Sequence, residues 1–302
     1  MTSSVLAQAL RDWRPGTLEL TRRVDPWSAE AFADLIGAPG PARADVASLP
    51  PLWHWFTLLD HPAQSQIGAD GHPVAGPLLP PIPRRRRMFA GGRLRLGAPI
   101  PLGALLSSRS AVAAVSVKSG RSGDLALVTV RHELAADGAT VGVEEQDIVY
   151  RCAEDGAVPG HQPLPSTGFP EPTGEWRAEL AVDPTLLFRF SALTYNAHRI
   201  HYDLPYATGV EGYPGLVVHG PLLALLALEL PRMHAPGRVV RGFDYRLVRP
   251  AFAPARIVSG GRPDGEAIEI AVAAQGAEPS LTGTIFFGTG NRFRTSPVSF
   301  PA

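Results

Sequence analysis

The sequence predicts an α+β fold made of two related halves, each an antiparallel sheet wrapped around a helix. Three observations carry this. Both halves run in one order: a short strand, a helix opened by an Asp-Pro pair, irregular chain, then hairpin-linked strands. The pairs are Asp25-Pro26 and Asp183-Pro184. In each, the aspartate can accept a free N–H of the first turn, and proline suits the first helical position. Finally, Gly91-x-x-x-Arg95-Leu96-x-x-Pro99 returns at identical spacing as Gly242-x-x-x-Arg246-Leu247-x-x-Pro250, opening the β part of each half. Separate strands and helices of this kind pack as a sheet on a helix.

The elements follow in order. Leu18 to Val24 alternates as a strand, and Trp27 to Ile36 has apolar residues at helical spacing. Gly37 to Pro51 is a Gly/Pro-rich loop, Leu52 to Leu59 a short buried helix, and His61 to Pro83 a long loop. A loop of that length in a compact domain is either functional or loose. Met88 to Leu96, Ala104 to Lys118, Asp124 to Leu134 and Thr140 to Arg151 are strands joined by Ser-Gly or Asp-Gly turns. Asp155 to Gly174 is Gly/Pro-rich and reads as a linker, which divides the chain into 1–154, 155–174 and 175–302. The second half gives a strand at Trp176 to Val182 and helices at Thr185 to Leu193 and Pro221 to Met233. It closes with strands at Arg238 to Val248, Ala255 to Gly260, Glu266 to Gln275 and Ser280 to Gly288. The first half has no central helix as apolar as Pro221 to Met233, so it reads as the supporting half.

Composition excludes several functions. The formal charge is zero, so no basic face for nucleic acid is implied. The basic run Arg84 to Arg87 is either a solvated loop or an anion contact. Cys152 is the single cysteine, which rules out an internal disulfide and a Cys-based zinc site. The N-terminal residues lack a charged n-region followed by an apolar stretch, and no apolar run has transmembrane length. A soluble cytoplasmic protein is expected. His198, His201 and His219 have no carboxylate or cysteine at a familiar ligand spacing, so no metal is expected. No dinucleotide fingerprint or nucleophile elbow occurs, so no redox cofactor is implied.

Chemistry concentrates between Phe190 and Leu222, where Asn196, His198, Arg199, His201, Tyr202 and Asp203 lie between two apolar helices. The run Asn196-Ala197-His198-Arg199-Ile200-His201, then Ala207, then His219-Gly220, resembles the MaoC-like (R)-specific enoyl-thioester hydratases and dehydratases. Their pattern is roughly Asp-x-Asn-Pro-Ile-His, a later Ala and a downstream His-Gly. Asn196, His198 and Arg199 depart from it. With Gly76 to Pro83 and Arg87 to Leu94, the wording is similar to one branch, which includes mesaconyl-C4-CoA hydratase, itaconyl-CoA hydratase and type 2 hydroxyacyl-thioester dehydratase. The resemblance implies a double hot-dog fold and a hydro-lyase acting on an acyl-CoA thioester. It implies no cofactor, coenzyme A being part of the substrate, and a possible homodimer.

Hydration of an enoyl thioester needs a base for water, a donor for the thioester oxygen and a proton for C2. His201 suits the base, an ordinary imidazole titrating at roughly 6.5. Asn196 can hold the water through its amide oxygen but cannot ionise. The oxyanion donor is the N–H of Gly220, where the apolar helix begins. His219 either fixes the Gly220 turn or acts directly. His198 is either structural or substrate-facing. Arg199 either pairs with Asp203 or, like Arg93, binds a substrate carboxylate or CoA phosphate. Tyr195 and Tyr202 read as pocket walls. A short dicarboxylic substrate is favoured by the arginines. The alternatives are a general 3-hydroxyacyl-CoA or acyl-carrier-protein dehydratase and a non-catalytic thioester binder.

Overall fold

The structure, a computed structural model, describes residues 5–40, 47–120, 123–152, 168–172 and 174–288. The expected linker falls largely outside these residues. In the first half, helix α1 (Val5–Arg11) precedes strand β1 (Thr17–Arg23) and helix α2 (Pro26–Ile36). Four long strands follow: β2 (Arg85–Leu96), β3 (Leu105–Gly120), β4 (Gly123–Ala136) and β5 (Ala139–Cys152). The second half has β6 (Trp176–Val182), α3 (Pro184–Leu193), α4 (Leu204–Gly209) and α5 (Gly220–His234). Its further long strands are β7 (Gly242–Leu247), β8 (Ala255–Asp264), β9 (Ala267–Ala274) and β10 (Leu281–Phe286).

These ten strands form one antiparallel sheet in the order β1-β3-β4-β5-β2-β7-β10-β9-β8-β6. Each half contributes its first, third, fourth, fifth and second strand in that spatial order, so the two halves are copies of one topology meeting at β2 and β7. The sequence echo lies on this seam and pairs with itself: Gly91 faces Arg246, Arg95 faces Gly242, and Arg93 faces Asp244 at the centre. The glycine is required there. A Cβ on Gly91, at φ 146°, would stand 2.3 Å from the Tyr245 carbonyl oxygen.

Helix α5 is the core of the second half. Leu222 through Pro231 are all buried, as expected for a helix apolar on every side. Its one buried acid, Glu229, is held by Arg232 at 2.6 Å. Among the described residues the first half has no such helix between α2 and β2. The span from Leu52 to Leu59 forms only a 3₁₀ turn, Trp53–Phe56, entered through Leu52 in the left-handed region (φ 68°). Aromatic packing explains its shape: Phe32 meets Trp53 at 4.9 Å and Phe56 at 4.6 Å, and Phe190 of α3 at 6.0 Å. Those rings join the two halves through α2 and α3. The basic run is also corrected. Arg85 to Arg87 belong to β2 rather than to a loop, because they pair with Tyr150 to Cys152 of β5.

Candidate active site

The polar segment begins where α3 stops. Asp183 caps that helix by accepting the Leu186 N–H at 2.7 Å, and Thr194 Oγ1 donates to the Phe190 carbonyl at 2.8 Å at its other end. Tyr195 then adopts φ 49° and reverses the chain. The Asn196 N–H donates to Ser191 O at 2.8 Å, and its Oδ1 accepts the His198 N–H at 3.0 Å. A single 3₁₀ turn, Arg199–His201, follows, and Asp203 caps α4 through the Tyr206 N–H at 3.0 Å. This tight path turns His198 and His201 inward and leaves Arg199 facing out.

His201 is 7% exposed, and its Nδ1 lies 2.7 Å from the Val217 carbonyl. A carbonyl only accepts, so Nδ1 carries the proton and Nε2 presents a bare lone pair. Burial pushes the imidazole pKa down to about 4, so the ring is neutral at pH 7 and able to accept a proton. His219 stacks on it, with ring centroids 3.7 Å apart and planes at 18°. His219 is fully buried, and its Nε2 meets Ser191 Oγ at 2.9 Å. Gly220 follows at the start of α5 and lines the same cavity as His201. The first N–H groups of a helix have no partner inside it, and a negative charge is favoured beside them.

That cavity measures about 1180 Å³ and is bounded by both halves. At its first-half end, Glu144 is buried and held by His54 Nε2 at 2.6 Å and Trp55 Nε1 at 2.9 Å. Nearer to His201, the long loop His61 to Pro83 crosses to the second half. Gly71 (φ 91°) passes so close to Ala197 that a Cβ would fall 1.7 Å from its carbonyl oxygen. Asp70 O accepts the Arg199 N–H at 2.9 Å. His72 from this loop packs on His198, with ring centroids 4.0 Å apart, and His198 stands edge-on to His201 at 5.5 Å. Burial lowers the pKa of His72, and that of His198 to about 2, with Arg87 adding to both shifts.

Sequence reading missed Asp70 and His72. The Asp-Gly-His-Pro run at 70–73 could have flagged them, being a turn with a histidine inside an unusually long loop. Asp70, His72 and His198 also form the nearest approach to a metal centre among the described residues, with ligand atoms within 4.8 Å of one another. Tetrahedral zinc ligands sit roughly 3.3 Å apart, and Asp70 already bonds His72 through both oxygens, so the set does not fit an ion as it stands.

Three expected substrate contacts are corrected. Arg93 faces away from the cavity, held by Asp147 at 2.7 Å and Glu145 at 2.8 Å, because strand alternation puts it on the face opposite to Leu94. Arg199 is held outside the cavity by Asp203 at 2.7 Å and the Ala69 carbonyl at 3.0 Å, with its guanidinium over Tyr206. His219 lies behind His201 and does not reach the cavity. Tyr195, Asn196, His198 and Tyr202 do line it, the Tyr202 hydroxyl donating to Ala197 O at 2.9 Å. Three arginines do line it, Arg87, Arg151 and Arg249; Arg87 is the one beside His72 and His198, and among the described residues it forms no ion pair.

Residues 52–253 match the family model of hydroxyacyl-thioester dehydratase type 2. The chain belongs to this family. It is 45% identical over 263 residues to mesaconyl-C(4)-CoA hydratase of Chloroflexus aurantiacus, covering 86% of this chain and 91% of that one. It is 29% identical to the mitochondrial hydroxyacyl-thioester dehydratase type 2 of Schizosaccharomyces pombe, over 71% and 78% of the two chains. A MaoC-like dehydratase from Phytophthora capsici has the same fold, with a TM-score of 0.65 at 16% identity over 91% of this chain and 97% of that one. A Mycobacterium tuberculosis protein described as a double hot-dog fold aligns over 92% and 96%, with a TM-score of 0.53 at 16% identity. The chain is therefore a double hot-dog, in keeping with its duplicated strand order.

Proposed function

We propose that this protein is a hydro-lyase that adds water reversibly to an enoyl-CoA thioester bearing a second carboxylate. Mesaconyl-C4-CoA, the compound for which its 45% relative is named, is the first candidate, and itaconyl-CoA is the second. The observation that carries the reading is the fixed tautomer of His201, which turns a bare Nε2 into a cavity also lined by Gly220 at the head of α5. Water attacks C3 while His201 Nε2 takes one of its protons. The π electrons move onto the thioester oxygen, where the Gly220 N–H stabilises the charge. Collapse of that enolate takes the proton at C2 and restores His201.

The dicarboxylic choice is supported by Arg87, a guanidinium on the cavity wall that pairs with no carboxylate among the described residues. The test is a panel of mesaconyl-C4-CoA, mesaconyl-C1-CoA, itaconyl-CoA and crotonyl-CoA, followed by loss of enoyl-thioester absorbance. Turnover of a dicarboxylic thioester, lost in His201→Ala and weakened in KM by Arg87→Met, is expected. Preference for crotonyl-CoA with no effect of Arg87→Met would move the protein to a general hydratase. An inactive wild type would refute hydration of these thioesters.

A further inference from the structure

We propose that the Asp70–His72 pair of the first half belongs to the hydration machinery, with His72 as the second acceptor that orients the attacking water. The proposal rests on the hydratase reading above and extends it to residues outside the second half. The need is geometric. A water that gives one proton to a base and points a lone pair at C3 must direct its other O–H at an acceptor. Two acceptors are therefore required, and His201 Nε2 is one of them.

Asn196 is the weaker candidate for the other: its Oδ1 already gives one of its two lone pairs to the His198 N–H, and the rest of its amide only donates. Asp70 and His72 supply a second acceptor on the cavity wall. Asp70 Oδ1 accepts the His72 N–H at 3.0 Å, and Oδ2 lies 3.1 Å from His72 Nδ1. A carboxylate there keeps the proton on Nδ1 and leaves Nε2 as a bare acceptor, the same tautomer that Val217 imposes on His201. Asp70 holds its charge, its pKa lying at about 2; burial works against this but is outweighed by the bonds from His72. His72 lines the cavity and packs on His198, which in turn meets His201. Backbone contacts fix the alignment: Gly71 abuts Ala197 and Asp70 O holds the Arg199 N–H, so the loop cannot slide relative to His201.

In this arrangement the bonds balance without charging His72. One O–H of water breaks toward His201 Nε2 as O–C3 forms. The C2=C3 pair passes through the enolate and takes that proton at C2. The second O–H stays intact and only donates to His72 Nε2. In dehydration the same nitrogen accepts from the 3-hydroxyl.

Four variants test this on the thioester that the wild type turns over. His72→Phe keeps an aromatic ring against His198 but deletes the lone pair. Asp70→Asn is nearly isosteric, and its amide N–H forces the His72 proton onto Nε2, turning acceptor into donor. Each should lower kcat, His72→Phe by about 100-fold, with KM within about threefold. Asn196→Asp, which adds an ionised oxygen beside the one bound to His198, should restore at least about tenfold of kcat when combined with His72→Phe. Thermal melts identify any variant that fails to fold, and Asp70→Asn keeps the test open if His72→Phe does. Wild-type kcat in either folded variant overturns the proposal. So does a loss that Asn196→Asp does not relieve, and so does His198→Ala abolishing turnover while His72→Phe spares it. A wild type inert toward every enoyl thioester refutes the hydratase reading as well, whereas an active wild type with an unimpaired His72→Phe refutes this proposal alone.

Discussion

Acidification from pH 7 to pH 5 should destabilise this protein by about 4 kcal/mol through two imidazoles alone. An unfolded histidine titrates near 6.5. In the folded chain His201 titrates at about 4 and His198 at about 2. Both folded values are depressed, so between them and 6.5 the unfolded state binds more protons. The stability is therefore present above 6.5 and is lost as pH falls. Over pH 7 to 5 the unfolded ring goes from mostly neutral to almost fully protonated while the folded ring stays almost entirely neutral, which is worth about 2 kcal/mol for each histidine. His72, His132 and His219 shift in the same direction and add to the loss, whereas Glu229, whose carboxyl is pushed up by burial, opposes it at lower pH. Urea titrations followed by tryptophan fluorescence, at constant ionic strength, measure the change in midpoint and slope. His201→Gln should reduce the loss between pH 7 and 5 by about 2 kcal/mol, because the substituted residue does not titrate. An equal or higher midpoint at pH 5 would refute the reasoning. It would mean that the rings are protonated in the fold, and a cationic His201 cannot accept a proton from water. For the same reason kcat/KM should show no limb near 6.5, and activity should persist until the protein unfolds.

Three further outcomes follow from the packing. Arg93→Met should cost about 3–5 kcal/mol in chemical denaturation and leave KM unchanged, because it strands the nearly buried Asp147; a raised KM at full stability would return Arg93 to the substrate. Gly91→Ala should cost more than about 3 kcal/mol or yield insoluble protein, since the new methyl collides with the Tyr245 carbonyl on the seam between the halves; a normal melting temperature would contradict this. Ser191→Ala should cost about 1–3 kcal/mol by removing the partner of buried His219 Nε2, and an unchanged urea midpoint would count against that bond.

The duplicated α+β plan and the place of the chemistry are both readable from the chain before any folding is known. Strand alternation, Asp-Pro caps and the apolar run of α5 are local signals whose periods are set by backbone geometry. The Gly-x-x-x-Arg-Leu echo was legible for the same reason, and its self-pairing on the β2–β7 seam is the form that duplication takes in a continuous sheet. His201, Asn196 and Gly220 could be singled out because one short segment and one helix start hold them. Arg93 was misassigned, and Arg199 and His219 were left between two roles, because sequence shows a charge or a ring without its surroundings. Packing revealed Asp147 and Ser191 as partners and chose Asp203 for Arg199. His72 and Arg87 reach the cavity from the other half, with Asp70 bonded to His72 behind it, more than a hundred residues before His201 in the chain. No periodicity links positions so far apart. Their meeting follows from a loop crossing where the first half lacks a central helix, and tertiary structure alone decides that.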